Sequence, residues 1–313
     1  MYDNLHLRLE RFAVEGDYSS IADRLSTVKQ VTDTETGEVR YFGSLGGLKV
    51  TIYESSIYIV GSLSKFYNGS NIYTLNRRDT ERAVQRLSEA LGANVSTAKV
   101  SYLEFGDAFL LQNPVEEYLK RLGSYPRLHR NPQPDTLYYQ HRGKEQPKTL
   151  CFYDKTKELR KKKEILPDGL NGQNILRYEL RFKHRLPQQI GWHETITAAT
   201  LYNRQFYKKM VGLYRESYFA ISKRKMMKQT ALREVKNPKD AMQCLIGLLL
   251  CQADTETVAD FMGQLSTAKV LDRVQFYRLG QMIERATAKG KYLEEDSLIL
   301  ELDNQIINAC LYT

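Results

Sequence analysis

"ILRYELRFKHRL", residues 175–186, alternates regularly enough to set the fold. Side chains two apart on a strand share a face. Arg177, Glu179, Arg181 and Lys183 therefore line one face, headed by Ile175, while Tyr178, Leu180 and Phe182 line the other. The second face is apolar and belongs to a core. The first is charged, which puts Glu179 on a polar face rather than in the core. On physical grounds alone, a solvated, salt-bridged sheet surface accounts for it.

Working outward, "KTLCFYDKTKEL" (148–159) begins as a strand, and "KTKELRKKKEIL" from Lys155 reads as a basic helix. "TLYYQHRGKEQPKTLCFYD" reads as two strands about a turn at Gly143, and the proline-rich "YPRLHRNPQPD" as a loop. "AKVSYLEFGDAFLL" is another strand. It carries Glu104 and Asp107, three apart and so out of phase unless a bulge intervenes at Gly106. "NPVEEYLKRLG" is a short helix with Pro114 near its first turn and Gly123 after its end. "NRRDTERAVQRLSEALG" reads as a helix with an apolar stripe of Ala83, Val84, Leu87 and Leu91 and a stop at Gly92. "GLKVTIYES" and "SIYIVGSL" form a hairpin, and "LHLRLERF" alternates from Leu5 to Phe12.

After Pro187 the texture changes, and from about Thr195 the pattern is helical almost to the end, with Gly290 expected to cap the fourth of five segments. The chain thus reads as α+β: a sheet domain with packed helices over residues 1–190, then an all-helical C-terminal region over 191–313.

The 313 residues, 42% of them hydrophobic, suffice for one or two cores. The longest apolar run, "CLIGLLLC" (244–251), is far shorter than a membrane span, and "MYDNLHLRLERF" lacks the layout of a signal peptide. A soluble, cytoplasmic protein with no membrane partner is expected. Four scattered cysteines read as buried thiols in a reducing compartment, and five histidines form no H-x-H or H-E-x-x-H pattern. Lys plus Arg total 46 against 37 acids, a net charge of +9. The cations cluster in 155–164, 177–185 and 222–228. With 21 tyrosines, such clusters suit contact with a nucleic acid, although any single tyrosine is more often ordinary core or surface.

Three strands bring polar groups into an otherwise apolar sheet: "VSYLEFGD" with Glu104 and Asp107, "LCFYDK" with Tyr153 and Lys155, and "RYELRFK" with Glu179. Phosphoryl transfer needs a nucleophile, a carboxylate-bound divalent cation and a positive charge for the developing anion. A tyrosine, two glutamates and a lysine supply that set.

Tyr153-Asp154-Lys155 with Glu158, followed by "RYELRFK", resembles the Y-D/N-K-x-x-E … R-x-E-x-x-x-K core of rolling-circle replication initiators. These include the gene II proteins of filamentous phages and the Rep_trans initiators of small plasmids and transposons. "GSLSKFYNGSNIYTL" (61–75) resembles the G-[NS]-x-[SA]-K-[FW]-x-x-G-x-N block of the phage proteins, and "VSYLEF" (100–105) their R-[IL]-D strand, with Tyr102 at the arginine and Glu104 at the aspartate. The resemblance covers about residues 43–185.

It implies a nuclease-like antiparallel-sheet domain that nicks and rejoins DNA at an origin, leaving a 5′-phosphotyrosine and a free 3′-OH. Tyr153 takes the place of the nucleophile and Lys155 of the lysine beside it. Glu104 and Glu179 match acids expected to hold a metal, with Asp107 a further candidate. Carboxylate ligands favour Mg²⁺ or Mn²⁺ over zinc. Lys65, Asn68 and Asn71 fall in the upstream block. These three, with Arg177, Arg181, Lys183, Lys161 and Lys162, are the candidate DNA-binding residues. Implied partners are single-stranded or hairpin origin DNA, a host helicase and a polymerase. The helical region is open to three roles: homodimerisation, helicase docking or DNA recognition. A relaxase mobilising a conjugative element would share the site, while a non-catalytic DNA-binding regulator built on a decayed initiator is a reading of a different class, kept open by the weakened acidic strand. The clustered charge speaks against a structural protein that binds no nucleic acid.

Overall fold

The strand read from "ILRYELRFK" runs from Asn174 to Lys183 (β10) and lies near the middle of a ten-stranded sheet. Its neighbours are β6 (Lys99–Leu111) and β9 (Lys148–Asp154), both antiparallel to it. The other strands are β1 (Tyr2–Glu10), β2 (Ser26–Thr32), β3 (Val39–Leu45), β4 (Leu48–Ile52), β5 (Ser56–Ser62), β7 (His129–Gln133) and β8 (Thr136–Gln140). Their order is β2-β3-β4-β5-β1-β6-β10-β9-β8-β7, antiparallel throughout. The computed structural model describes residues 1–10, 18–143, 146–164, 169–223, 225–227, 233, 235–253, 255–288, 293–294 and 296–311. Parts of the 222–228 basic cluster, Phe12, the end of the basic helix and Gly290 lie outside the described residues.

The two outermost strands carry no alternation, which is why the sequence hides them. Every residue of β2 is exposed. The proline-rich stretch around Pro132 reads as loop, yet β7 forms there at the sheet edge, where a residue without an N–H can be accommodated.

The apolar face of the central strands packs on helix α8 (Arg204–Phe219). Tyr178 stacks between Phe152, 4.3 Å away, and Tyr214, 4.4 Å away by ring centroids. Phe105 meets Tyr2, Tyr207 and Tyr214 edge-on. The other helices of this unit are α1 (Tyr18–Ala22), α2 (Leu63–Asn68), α3 (Arg77–Leu91), α4 (Val115–Arg121), α5 (Lys155–Lys161), α6 (Leu186–Ile190) and α7 (Ala198–Leu201). α3 buries the expected stripe, is capped by the Asn76 side chain and ends at Gly92, whose φ of 72° a residue with a Cβ rarely adopts. The helical pattern from Thr195 breaks at Asn203, whose side chain accepts from the N–H groups of Gln205 and Phe206 and starts α8 afresh.

Two compact units emerge: residues 1–222 with 302–313, and residues 223–301. The change of texture points to a division near residue 190, but α6 to α8 belong to the sheet unit, and α8 supplies its aromatic cover. The second unit contains α9 (Pro238–Gln252), α10 (Thr255–Ala268) and α11 (Arg273–Ala288). It also holds a two-residue ladder of β11 (Met226–Met227) with β12 (Leu293–Glu294), so among the described residues it is helical with one short strand pair. α12 (Ser297–Leu311) begins there, and its residues from Leu302 on belong to the first unit.

Two local features shape the centre of the sheet. Tyr2 pairs with Phe105 and Leu5 with Leu103, so three steps along β1 match two along β6. This bulge sets Asp3 and Asn4 opposite Glu104. On β6, Gly106 faces Glu179 across the ladder, and a Cβ built there would lie 2.2 Å from the Tyr178 carbonyl oxygen and 2.8 Å from Glu179 Cγ.

Candidate active site

β10 contributes Arg177, Glu179 and Arg181 to the face opposite α8, in the phase the alternation predicts. That face is not solvated at its centre. Arg177 is 0% and Glu179 1% exposed, so these two are as buried as the apolar row behind them, while Arg181 is half-buried and Lys183 exposed. A buried charge is tolerated only when paired and hydrogen-bonded. Here Arg177 Nε donates to Glu179 Oε1 (3.0 Å), its Nη2 to Asp3 Oδ2 (2.9 Å) and its Nη1 to the Asn71 carbonyl (3.2 Å). Arg181 donates through Nε (3.0 Å) and Nη2 (2.8 Å) to Glu179 Oε2, and its Nε lies 3.3 Å from Glu104 Oε1.

Register brings the remaining groups in from either side. Arg177 pairs with Tyr153 on β9, and Arg181 with Glu104 on β6. The Tyr153 hydroxyl donates to Glu179 Oε1 at 2.8 Å, and the Tyr102 hydroxyl donates to Glu104. Asp3 accepts from the Ser62 hydroxyl and from Asn71 Nδ2 (3.4 Å). Ser62 also caps α2 by accepting from Lys65 N, which ties that helix to the carboxylate.

Asp3, Glu104 and Glu179 form one cluster, with ligand oxygens all within 4.8 Å of one another. They line a cavity of about 360 Å³ whose wall also includes Tyr153, Asn71 and Arg181. Three buried carboxylates at this spacing suit a hard divalent cation. Asp3, Glu104 and Glu179 are the residues that would hold it.

The two glutamates are tuned in opposite directions. Burial and the charge of Glu179 push Glu104 up to about 7, with Arg181 offsetting part of the shift. Burial also acts to raise Glu179, but the guanidiniums of Arg181 and Arg177 outweigh it and bring it down to about 2. Burial, then the Glu179 charge, hold the Tyr153 phenol well above the usual tyrosine range. In this arrangement the phenol is a hydrogen-bond donor.

The other candidates divide. Lys155 is the first residue of α5, not a continuation of β9. It is wholly buried, with Nζ donating to Asn71 Oδ1 (3.0 Å) and Glu158 Oε2 (2.8 Å) and lying 5.8 Å from the Tyr153 ring centroid. Lys65 and Lys162 line the cavity, paired with Glu164 (2.8 Å) and with Glu158. Arg177 is too deeply buried to meet a DNA backbone and serves the carboxylates instead. Lys161 is exposed and pairs with Asp135 at 2.8 Å. Lys183 is exposed with Nζ 5.8 Å from the Tyr102 ring centroid, and Asn68 is exposed at the end of α2.

Asp107 is not brought to the cluster. The β6–β10 register stays regular through Gly106, so Asp107 pairs with Tyr178 on the opposite face from Glu104 and accepts from the Thr74 hydroxyl at 3.0 Å. The acid that completes the cluster is Asp3, which the alternation of β1 hides. Counting by twos puts Asp3 in the row of Leu5, Leu7 and Leu9, and only the bulge turns it away. An acid heading an apolar row is the one signal the sequence offers. Of the cysteines, Cys151 is buried and lines the cavity, whereas Cys244 and Cys310 are half-buried rather than buried.

Among the described residues no helix is long and apolar enough to cross a membrane. The Phage_CRI family model, which describes the N-terminal part of a phage replication-associated protein, matches residues 1–206. No curated protein matches the chain.

Proposed function

The chain belongs to the Phage_CRI family of phage replication-associated proteins, the gene II type of rolling-circle replication initiator, and from that premise we propose that it nicks and rejoins origin DNA through Tyr153. The observation that carries this reading is the Tyr153 hydroxyl, 2.8 Å from Glu179 Oε1 at the edge of a three-carboxylate cluster. Mg²⁺ or Mn²⁺ is the cation that such a donor set takes, and when bound it would polarise the phosphate and offset the Glu179 charge that, after burial, keeps the phenol protonated.

The chain's own groups do the rest. Glu179, clamped by Arg177 and Arg181, fixes the Tyr153 hydroxyl through one hydrogen bond. Lys155, with its ammonium over the ring, supplies positive charge near it. Lys65 and Lys162 at the cavity wall exchange their carboxylate partners for DNA phosphates. The Tyr153 oxygen bonds to phosphorus as the P–O3′ bond breaks. The phenolic proton goes to solvent and the 3′ oxygen takes one up, leaving a 5′-phosphotyrosine and a 3′-OH. The reverse step reseals the strand.

Incubation with a labelled single-stranded origin fragment and Mg²⁺ or Mn²⁺, followed by denaturing electrophoresis, tests this. A protein–DNA adduct is expected from the native chain, none from Tyr153→Phe, and none after chelation. Tyr153→Phe should still retard the same fragment on a native gel. An adduct that survives Tyr153→Phe overturns the assignment. Binding without any adduct from the native chain leaves the DNA-binding regulator as the reading.

A further inference from the structure

Asp107 has a setting of its own. It lines a second recess of about 290 Å³ with Tyr73, Thr74 and Leu110, floored by Ile72 and Ile175. That size is at the small end of ligand pockets (~300–1,000 Å³). Its rim exposes two large side chains, Tyr73 at 58% and Leu110 at 49%. Between them stands a half-buried carboxylate. Among the described residues, the hydrogen bonds to it come from the Thr74 hydroxyl (3.0 Å) and Ala108 N (2.9 Å), and both end on Oδ1. Oδ2 is left to accept from a ligand.

We infer that this recess holds one unpaired base of the DNA strand engaged at the neighbouring site, stacked on Tyr73 and read by Asp107. The inference rests on DNA binding at the carboxylate cluster, and continuity with that site argues for it. Asn71 lines the catalytic cavity, and Tyr73 and Thr74 follow within three residues, at most about 11 Å of chain. Glu104 and Asp107 lie on opposite faces of β6, and the 71–74 loop runs from the wall of one recess to the wall of the other, so a single strand following that loop reaches both. The carboxylate selects which part of the strand enters. It repels a phosphate and accepts from a base amino group, as Asp does from cytosine N4. An exposed tyrosine beside an apolar rim offers a stacking platform that tolerates any base. Thymine has no amino group to give, so Asp107 should disfavour it.

Binding of homopolymeric cytosine and thymine oligodeoxynucleotides, measured by fluorescence anisotropy in chelator so that no cleavage intervenes, tests this on the full chain. Asp107→Asn is isosteric and can donate to thymine O4. It should lower the preference for cytosine over thymine, relative to the native chain, by about tenfold. Tyr73→Ala, at an exposed position, should weaken both oligonucleotides about tenfold while leaving the slope of log Kd against log salt unchanged. An unaltered cytosine-to-thymine ratio in Asp107→Asn, or unaltered affinities in Tyr73→Ala, overturns the inference and leaves the nicking site untouched. Failure of the native chain to bind either oligonucleotide overturns both readings.

Discussion

The centres of the two faces of β10 are both buried and are held together by different physics. On one, Tyr178, Leu180 and Phe182 are buried, with Tyr178 stacked between Phe152 and Tyr214 of α8. On the other, Arg177 and Glu179 are buried to the same degree with no apolar partner to justify it. Apolar burial of that kind stabilises by roughly 25 cal/mol per Å². A buried ion network roughly breaks even against a hydrophobic one of the same shape. The contrast teaches that the charged face is not there for stability. It holds three carboxylates within 4.8 Å of one another, which is what the cation site proposed above requires.

The largest effects should come from breaking each face at one residue. Arg177→Met removes the one guanidinium shared by Asp3 and Glu179, leaving three buried carboxylates with Arg181 alone, and is expected to cost about 3–5 kcal/mol in urea unfolding. Phe152→Ala, on the apolar face, should cost about as much, ~3–5 kcal/mol, through the cavity it leaves. The two losses differ in how they can be repaired. Adding Asp3→Asn and Glu179→Gln to Arg177→Met should restore most of its loss, whereas no polar change should repair Phe152→Ala. A triple variant no more stable than Arg177→Met alone would erase the distinction drawn here.

Metal acts next. Mg²⁺ or Mn²⁺ at a hundredfold over its dissociation constant should raise unfolding stability by about 2.7 kcal/mol. The same addition to Asp3→Asn should do much less, because one of the three carboxylates is gone.

The smallest effect separates the two glutamates. Glu104 rises from an ordinary 4.5 to about 7, so between those pH values the folded metal-free protein binds more protons than the unfolded chain, and stability falls as pH rises. Glu179, lowered to about 2, works the other way, contributing stability above 4.5 that is lost as pH falls through about 2. Glu104→Gln should therefore stabilise the metal-free protein by about 1–3 kcal/mol at pH 7.5 and by almost nothing at pH 4.5. An equal difference at both pH values would mean that Glu104 does not titrate as its surroundings require.

The sequence reveals facing but not cover. Alternation in 175–186 assigns Arg177, Glu179 and Arg181 to one side, and the structure agrees. It cannot show that the side is buried, because what buries it comes from far along the chain: Asp3 lies 174 residues from its partner Arg177, and Asn71 106. Tyr153, Glu104 and Glu179 meet as the motif resemblance implies, since register alone carries two neighbouring strands to β10. Asp3 escapes a reading by twos because a bulge interrupts the count, and Asp107 enters it only on the supposition of a bulge at Gly106 that the regular ladder does not contain. β2 and β7 are hidden for a different reason. Edge strands that face water carry no apolar rhythm to read.

Gly106 has no side chain, and that is its contribution. Any larger residue would wedge the backbones of β6 and β10 apart where the Tyr178 carbonyl passes, since its first carbon would overlap that oxygen at 2.2 Å. The gap between Glu104 and Glu179 would then be reset without either glutamate being altered. A screen that mutates only reactive groups would pass over the residue that sets the spacing of the acids.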